Sequence, residues 1–130
     1  MKEIKLGITG SAETEADGSN TALAVGSGSL EVFATPMMIA LMEKAACSCI
    51  EEYLDDGETS VGTFIAVSHT AASPCGMRIG AEARVTAVNG REICFAVTAW
   101  DGASAIGEGE HKRFVVNIEK FSSKAVKRLG

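Results

Sequence analysis

Three side chains in the sequence carry the groups that acyl transfer requires, namely a hydroxyl, a carboxylate and an imidazole. Thr35 stands at the start of a long helical pattern, Glu43 lies in the same pattern, and His69 lies in the strand pattern that follows. When such groups meet, they can supply a nucleophile, a base and a group that orients the base. We therefore take these three residues as candidate catalytic residues.

Each of the three side chains also fits a purely structural role. Thr35 can cap a helix whose first residue is Pro36, although a hydroxyl at the positive end of a helix is also well placed to polarise a carbonyl or hold an anion. Glu43 falls about 100° from the centre of the helix's polar stripe, so it either pairs with a Lys or Arg or works in a site. His69 shares a strand face with Val67 and is either a core histidine bonded to one backbone group or a general acid or base.

Other reactive groups are weaker candidates. Cys75 follows Pro74 in a turn, and the other histidine, His111, lies in a polar run far from it in sequence, so we interpret Cys75 as a small turn residue. Cys47 and Cys49 point to nearly opposite sides of the predicted helix, and the cysteines form no metal-binding pattern. No glycine loop of the nucleotide- or dinucleotide-binding type occurs. We therefore expect no metal and no cofactor.

Composition limits the partners and the location of the protein. The 130 residues carry a net charge of −5, which argues against nucleic acid as the main partner. Six basic residues stand against one acidic residue in positions 111–130, which indicates either a solvated amphipathic tail or a place for a phosphorylated ligand. No membrane-spanning run and no signal peptide is visible, and the cysteine usage fits a reduced compartment. We expect one cytoplasmic domain over residues 1–130.

Periodicity predicts one long helix and five strands. Residues 35–55 show a helical period with a narrow polar stripe, so most of the helix surface should be covered. Residues 59–73 are apolar on both faces, as in a central strand. The remaining predicted elements are a strand over residues 4–16, a short turn at Thr21–Val25, strands over 77–88 and 93–99 joined by the Asn89-Gly90 hairpin, a strand from the Asp101-Gly102 hairpin to Asn117, and a short amphipathic C-terminal helix.

This order of elements predicts an α+β fold. A strand, a helix and a four-strand antiparallel meander of long strands are typical of a sheet of about five strands wrapped around one long helix, the hot-dog fold. An open sheet has unpaired edges, so we expect two copies to join edge to edge as a homodimer.

Four short motifs, taken in order, resemble one family of enzymes. They are V-F-A-T entering the helix (Val32–Thr35), V-G-T (Val61–Thr63), S-H-T-A-A-S-P-C-G-M (Ser68–Met77) and G-E-G-E-H-K-R (Gly107–Arg113). Together they are similar to the hot-dog thioesterases of the fluoroacetyl-CoA thioesterase type, over about residues 32–116. The resemblance implies a homodimeric acyl-CoA thioesterase with its active sites at the subunit interface.

The resemblance also implies roles for five residues. Thr35, Glu43 and His69 match the family's catalytic trio, Gly62 matches a glycine that lies against the thioester and the CoA arm, and Arg113 matches a substrate-binding arginine. His69 is then the general acid or base. Glu43 either orients His69 or attacks the thioester carbonyl, and Thr35 either binds Glu43 or the acyl group or is itself the nucleophile. The sequence leaves these routes open.

One feature of the family is missing. Members specific for fluoroacetate carry an aromatic lid just before V-F-A-T, whereas this chain has no aromatic residue before Phe33. We therefore expect it to hydrolyse a small acyl-CoA thioester other than fluoroacetyl-CoA to the free acid and CoA. The alternatives are an acyl-CoA-binding or sensing module without turnover, and a hydratase or dehydratase of the same fold, for which no motif is present.

Overall fold

The computed structural model describes residues 1–130 and contains all of the predicted elements. The strands are β1 (Thr9–Glu15), β2 (Glu58–His69), β3 (Arg78–Asn89), β4 (Glu92–Trp100) and β5 (Ala105–Asn117). The helices are α1 (Ala22–Val25), α2 (Thr35–Ile50) and α3 (Ile118–Val126), with single 3-10 turns after α2 and α3 (Glu51–Tyr53 and Lys127–Leu129). β1 is shorter than predicted because only residues 9–15 pair with β3.

The five strands form one antiparallel sheet in the order β1-β3-β4-β5-β2. β2 pairs with β5 on one side and with no strand on the other, so the prediction that residues 59–73 form a central strand is wrong within the protomer. After β2 the chain crosses to the far part of the sheet, so only β3, β4 and β5 form a meander. β2 is therefore an edge strand of 12 residues that is apolar on both faces.

Helix α2 packs against the inner face of this sheet, mainly on β1 and β3. Its exposed residues after the first turn are confined to a narrow stripe at Ala40, Lys44 and Ser48, which confirms the prediction that most of its surface is covered. The closest approach is at Gly10, where an added Cβ would lie 2.5 Å from backbone atoms of Ala45 and Cys49. The core consists of the buried side chains of α2 and the inward-facing side chains of the sheet, including Met38, Met42, Ala45, Ala46, Ile50, Ile79, Val85, Ile93, Phe95 and Val97.

The start of α2 differs from the prediction by one residue. Ala34 is the N-cap and Thr35 is already helical, and no side chain caps this end. Pro36 follows in the first turn, where its missing N–H breaks no helical hydrogen bond. The prediction that Thr35 caps the helix is therefore wrong, because its hydroxyl is bonded to a side chain of β2 instead.

An antiparallel five-stranded sheet wrapped around one long helix is the hot-dog fold, and the predicted fold class is confirmed. None of the helices combines the length and the apolar character that crossing a membrane demands. The start of α2 faces the end of β2, and Glu43, farther along α2, lies near Gly62 of β2 and Arg113 of β5.

Candidate active site

Thr35 and His69 meet where the start of α2 faces the end of β2. Thr35 Oγ1 lies 2.8 Å from His69 Nδ1, within hydrogen-bonding distance. Thr35 is exposed and His69 is half-buried. The pair is therefore held together by the fold and is still accessible from outside.

The second ring nitrogen of His69 has no hydrogen-bond partner. Nε2 is buried, and it is the one buried side-chain nitrogen or oxygen in the structure without a partner. Buried polar atoms are nearly always bonded, so this unpartnered nitrogen is an exception. The adjoining pocket has a volume of about 280 Å³. Apart from the pair itself, it is lined mainly by small side chains and Phe33, namely Ala22, Ser27, Val32, Phe33, Thr70, Ala71 and Ala72.

A second polar cluster forms around Arg113 farther along β5. Arg113 is buried and uses its guanidinium in four hydrogen bonds. Nη1 donates to Glu43 Oε2 at 3.2 Å and to His111 Nε2 at 3.1 Å. Nε donates to Ser60 Oγ at 2.8 Å, and Nη2 donates to the Ser60 carbonyl at 3.0 Å. Glu43 is thus paired with an arginine, which is the structural role that the sequence left open for it.

His111 lies beneath this arginine and is almost completely buried. Its Nδ1 is 2.8 Å from the Phe64 carbonyl oxygen, and its ring stacks on Phe95 with 5.9 Å between ring centres. Burial lowers the pKa of His111 below its ordinary value of 6.5, and the charge of Arg113 lowers it further, while the Phe64 carbonyl and the charge of Glu43 raise it. The balance favours the neutral imidazole.

Gly62 closes the second cluster from the side of β2. A Cβ added to Gly62 would lie 2.7 Å from Glu43 Oε2 and 3.3 Å from His111 Cε1. The backbone of β2 can approach the carboxylate this closely only because residue 62 has no side chain. The glycine therefore leaves the space that the Glu43 carboxylate occupies.

The five predicted site residues thus form two groups within one protomer. Thr35 and His69 are in contact, and Glu43, Gly62 and Arg113 are in contact. Along α2, the eight-residue step from Thr35 to Glu43 corresponds to about 12 Å. Glu43 consequently has no hydrogen bond to His69 in the protomer.

Two members of the second cluster, His111 and Ser60, were not among the predicted site residues. His111, Arg113 and Val115 alternate inward along β5, and this period of two is visible in the sequence. Because the period places a histidine and an arginine on the face that also carries Val115, it was the available signal for a buried polar cluster.

Comparison with known proteins identifies the family. The profile of the fluoroacetyl-CoA-specific thioesterases matches residues 17–119. The curated fluoroacetyl-CoA thioesterase of Streptantibioticus cattleyicolor is 46% identical over 94 residues, which is 72% of this chain and 68% of that protein. The chain belongs to the fluoroacetyl-CoA-specific thioesterase family. The predicted family is confirmed, and the chain is a thioester hydrolase.

Solved structures of this family superimpose on the whole fold. The fluoroacetyl-CoA thioesterase FlK is 34% identical with a TM-score of 0.91, over 97% of this chain and 98% of that chain. One FlK variant, in complex with acetyl-CoA, also gives a TM-score of 0.91 at 34% identity over 98% and 100%. A thioesterase superfamily member from Thermus thermophilus is 27% identical with a TM-score of 0.89 over 99% and 95%. All three comparisons agree on a hot-dog thioesterase.

Proposed function

We propose that this thioesterase hydrolyses a small acyl-CoA thioester to the free acid and CoA. The observation that carries the proposal is the Thr35–His69 hydrogen bond beside an accessible pocket that both residues line, together with the unpartnered Nε2 of His69. Family membership and the FlK complexes with acetyl-CoA and with fluoroacetate and CoA support the substrate class. The four free cysteines support a reduced, cytoplasmic setting, and the single core supports one domain over residues 1–130.

In the proposed reaction His69 acts as general acid and base. Its Nε2 takes a proton from water, the water oxygen bonds to the acyl carbon, and the carbon–sulfur bond breaks. The same nitrogen then returns the proton to the CoA thiolate, so the products are an acid and a thiol. Thr35 holds Nδ1 and so fixes the ring. A backbone N–H near Gly62 or at the start of α2 stabilises the oxyanion, which is typically worth about 3 kcal/mol per donor.

We further propose that the site is completed across a dimer formed by β2. This edge strand is long, is apolar on both faces and exposes Phe64, which suits edge-to-edge pairing. Gly62 and His69 lie at nearly equal distances on either side of Ile65 and Ala66. An antiparallel pairing centred there brings the Gly62 end of one strand next to the partner's His69. Glu43 of one protomer then joins Thr35 and His69 of the other.

In this arrangement Gly62 keeps its proposed substrate-binding position, whereas Arg113 contributes indirectly. Gly62 is exposed on the edge strand, so its backbone can lie against the thioester. Arg113 reaches the site through Glu43. The exposed basic side chains of α3, Lys120 and Lys124, offer a place for the phosphates of CoA.

The proposed acyl group is small and not fluoroacetyl. Ala22 and Ser27 line the pocket at the place that precedes Val32 and Phe33, and the only nearby aromatic ring in the lining is that of Phe33. Small residues in this position do not supply the aromatic cover that the fluoroacetate-specific relatives carry in front of the V-F-A-T segment.

The proposal is tested by thiol release from a panel of acyl-CoA thioesters of increasing chain length. We expect wild type to release thiol, and His69→Ala and Glu43→Ala to be strongly impaired. Glu51→Ala, an exposed glutamate at the end of α2, is the matched control and should behave as wild type. Tight acyl-CoA binding without thiol release from any thioester would favour the sensing module. Near-normal rates in both variants would show that the site assignment is wrong although the activity is right.

The shared site has a separate test, subunit complementation. Glu43→Ala and His69→Ala proteins should each be strongly impaired alone, but a mixed dimer would contain one site with both residues intact. Equal mixing with subunit exchange should therefore restore about a quarter of wild-type activity. No recovery, in a sample that light scattering shows to be a mixed dimer, would place all three residues in one protomer. A monomer at micromolar concentration would exclude the dimer itself.

A further inference from the structure

The hydrogen bonds of Arg113 determine how its guanidinium is oriented towards Glu43. The guanidinium carries five N–H groups, and its four hydrogen bonds leave at most one of them free. Ser60 holds Nε and Nη2 through its hydroxyl and its carbonyl. Nη1, the nitrogen that reaches Glu43, is held by His111 as well. His111 is therefore the only side chain besides Glu43 itself that fixes this nitrogen.

The Phe64 carbonyl determines which nitrogen of His111 carries the proton. A carbonyl oxygen only accepts, so His111 Nδ1 must be the protonated nitrogen at 2.8 Å. In the neutral ring Nε2 is then an acceptor, and it faces Arg113 Nη1 at 3.1 Å. Protonation of Nε2 would set an N–H against another N–H. The lowered pKa of His111 agrees with a ring that stays neutral here.

We propose that His111 is a positioning residue for Glu43, acting through Arg113. Its fixed tautomer accepts one N–H of Nη1 and so turns the other N–H towards the carboxylate. A Cβ added to Gly62 would lie 2.7 Å from the same carboxylate oxygen, so the β2 backbone also limits the positions that Glu43 Oε2 can take. The inference rests on the proposed function, because the confined carboxylate serves the thioesterase site.

Two substitutions of His111 separate its two hydrogen bonds. His111→Gln places an amide oxygen near the former Nε2 and keeps an acceptor for Arg113. His111→Asn keeps a donor for the Phe64 carbonyl but does not reach Arg113. We expect His111→Asn to lower kcat about tenfold with KM changed less than about twofold, as for loss of one hydrogen bond to a charged group. His111→Gln should stay within about threefold of wild type.

A double-substitution cycle with Glu43 distinguishes positioning from general loss of structure. In a Glu43→Gln background, whose residual rate is the reference, His111→Asn should have almost no further effect on kcat, because its action passes through the carboxylate. An equal loss in both backgrounds would overturn the proposal. Cys49→Ala removes a buried side chain at the far end of α2 and controls for destabilisation alone; it should leave kcat near wild type.

One measurement reads the tautomer of His111 directly in the wild-type protein and does not require activity. The chain has two histidines, so ¹⁵N chemical shifts of the imidazoles can be assigned with one His69→Gln sample. His111 should show the neutral form protonated at Nδ1 at pH 7. The opposite tautomer or a charged ring would overturn the inference even if the enzyme is active. Conversely, the expected tautomer in a protein that releases no thiol would leave this geometry intact and would remove the proposed function.

Discussion

The two polar clusters on α2 and β2 differ in how completely their hydrogen bonds are satisfied. Thr35 and His69 share one bond at the rim of a pocket, and a ring nitrogen is left without a partner. Arg113 instead sits buried in a set of four bonds. A side chain that exchanges protons with a bound molecule needs a polar atom that no other protein group occupies. A side chain that fixes a geometry is held best when all of its hydrogen bonds are made. The first cluster is therefore suited to chemistry and the second to position.

We expect the largest effect from a substitution that removes the imidazole of the first cluster. His69→Ala should reduce kcat/KM by about 10²- to 10⁴-fold, the usual contribution of a general acid or base. The melting temperature should change little, because His69 is half-buried and makes a single side-chain hydrogen bond. Thiol release and thermal unfolding of the same sample check both statements. A large loss of stability with retained activity would reverse the contrast between the clusters.

Breaking the second cluster should affect stability first. Arg113→Met leaves the Ser60 carbonyl and His111 Nε2 without their donor, and we expect the free energy of unfolding to fall by about 2–3 kcal/mol. Urea denaturation measures it. Arg78→Met, which breaks the exposed ion pair between Arg78 and Glu13, is the matched control and should change stability little. Equal effects of the two substitutions would show that burial does not set the cost.

A smaller effect should follow from filling the space beside Glu43. Gly62→Ala adds a Cβ at 2.7 Å from Glu43 Oε2, so the carboxylate must move. We expect kcat to fall about tenfold, within the range for a misplaced catalytic group, with a modest change in melting temperature. Gly18→Ala is the control, since an added Cβ there meets no atom within 4 Å. Unchanged kcat in Gly62→Ala would mean that the position of the carboxylate is not critical.

The smallest effect is a pH dependence of stability from His111. Its pKa is lowered in the folded protein, mainly by burial, and the charges nearby are those of Arg113 on β5 and Glu43 on α2. Below pH 6.5 the unfolded chain binds a proton that the folded chain resists. The contribution of neutral His111 to the free energy of unfolding is therefore complete above pH 6.5, and it is lost as the pH falls through the lowered pKa.

Urea unfolding of wild type and His111→Gln between pH 5 and 8 isolates this contribution. The slope that belongs to His111 should be absent from the variant. Glu58 acts in a separate window. The Asp55 backbone N–H, the terminal ammonium and Arg91 lower its pKa to about 2 from 4.5, so its contribution disappears only between those values. Identical curves for the two proteins above pH 5 would mean that His111 titrates normally.

The sequence predicted where helices and strands lie better than it predicted which strands pair with each other. The helical period placed α2, and the Asn89-Gly90 turn placed the β3–β4 hairpin, because both signals are local. The edge position of β2 depends on its distant pairing with β5, and its apolar faces resembled those of a central strand. The proposed dimer offers a reason, since pairing with a second copy would make β2 central.

Side-chain chemistry pointed to Thr35, Glu43 and His69 as candidate site residues, and the resemblance added Gly62 and Arg113, but neither predicted how the five are grouped. Sequence spacing could not show that Thr35 gives up its capping role for His69, because that bond joins residues 34 positions apart. It also could not show that Glu43 pairs with Arg113 across the sheet. His111 was interpreted as part of a polar run, because the polar residues of this run do not reveal that every second residue of β5 points inward.

Gly10 sets the distance between α2 and β1, and this distance affects both clusters. Thr35 and Glu43 stand on the same stiff helix, and the depth of that helix is fixed where its backbone touches β1 at Gly10. A side chain at this position would push α2 away from β1 and would shift the hydroxyl of Thr35 and the carboxylate of Glu43 together. A single residue remote from both clusters thus sets the position of the two candidate side chains that α2 carries.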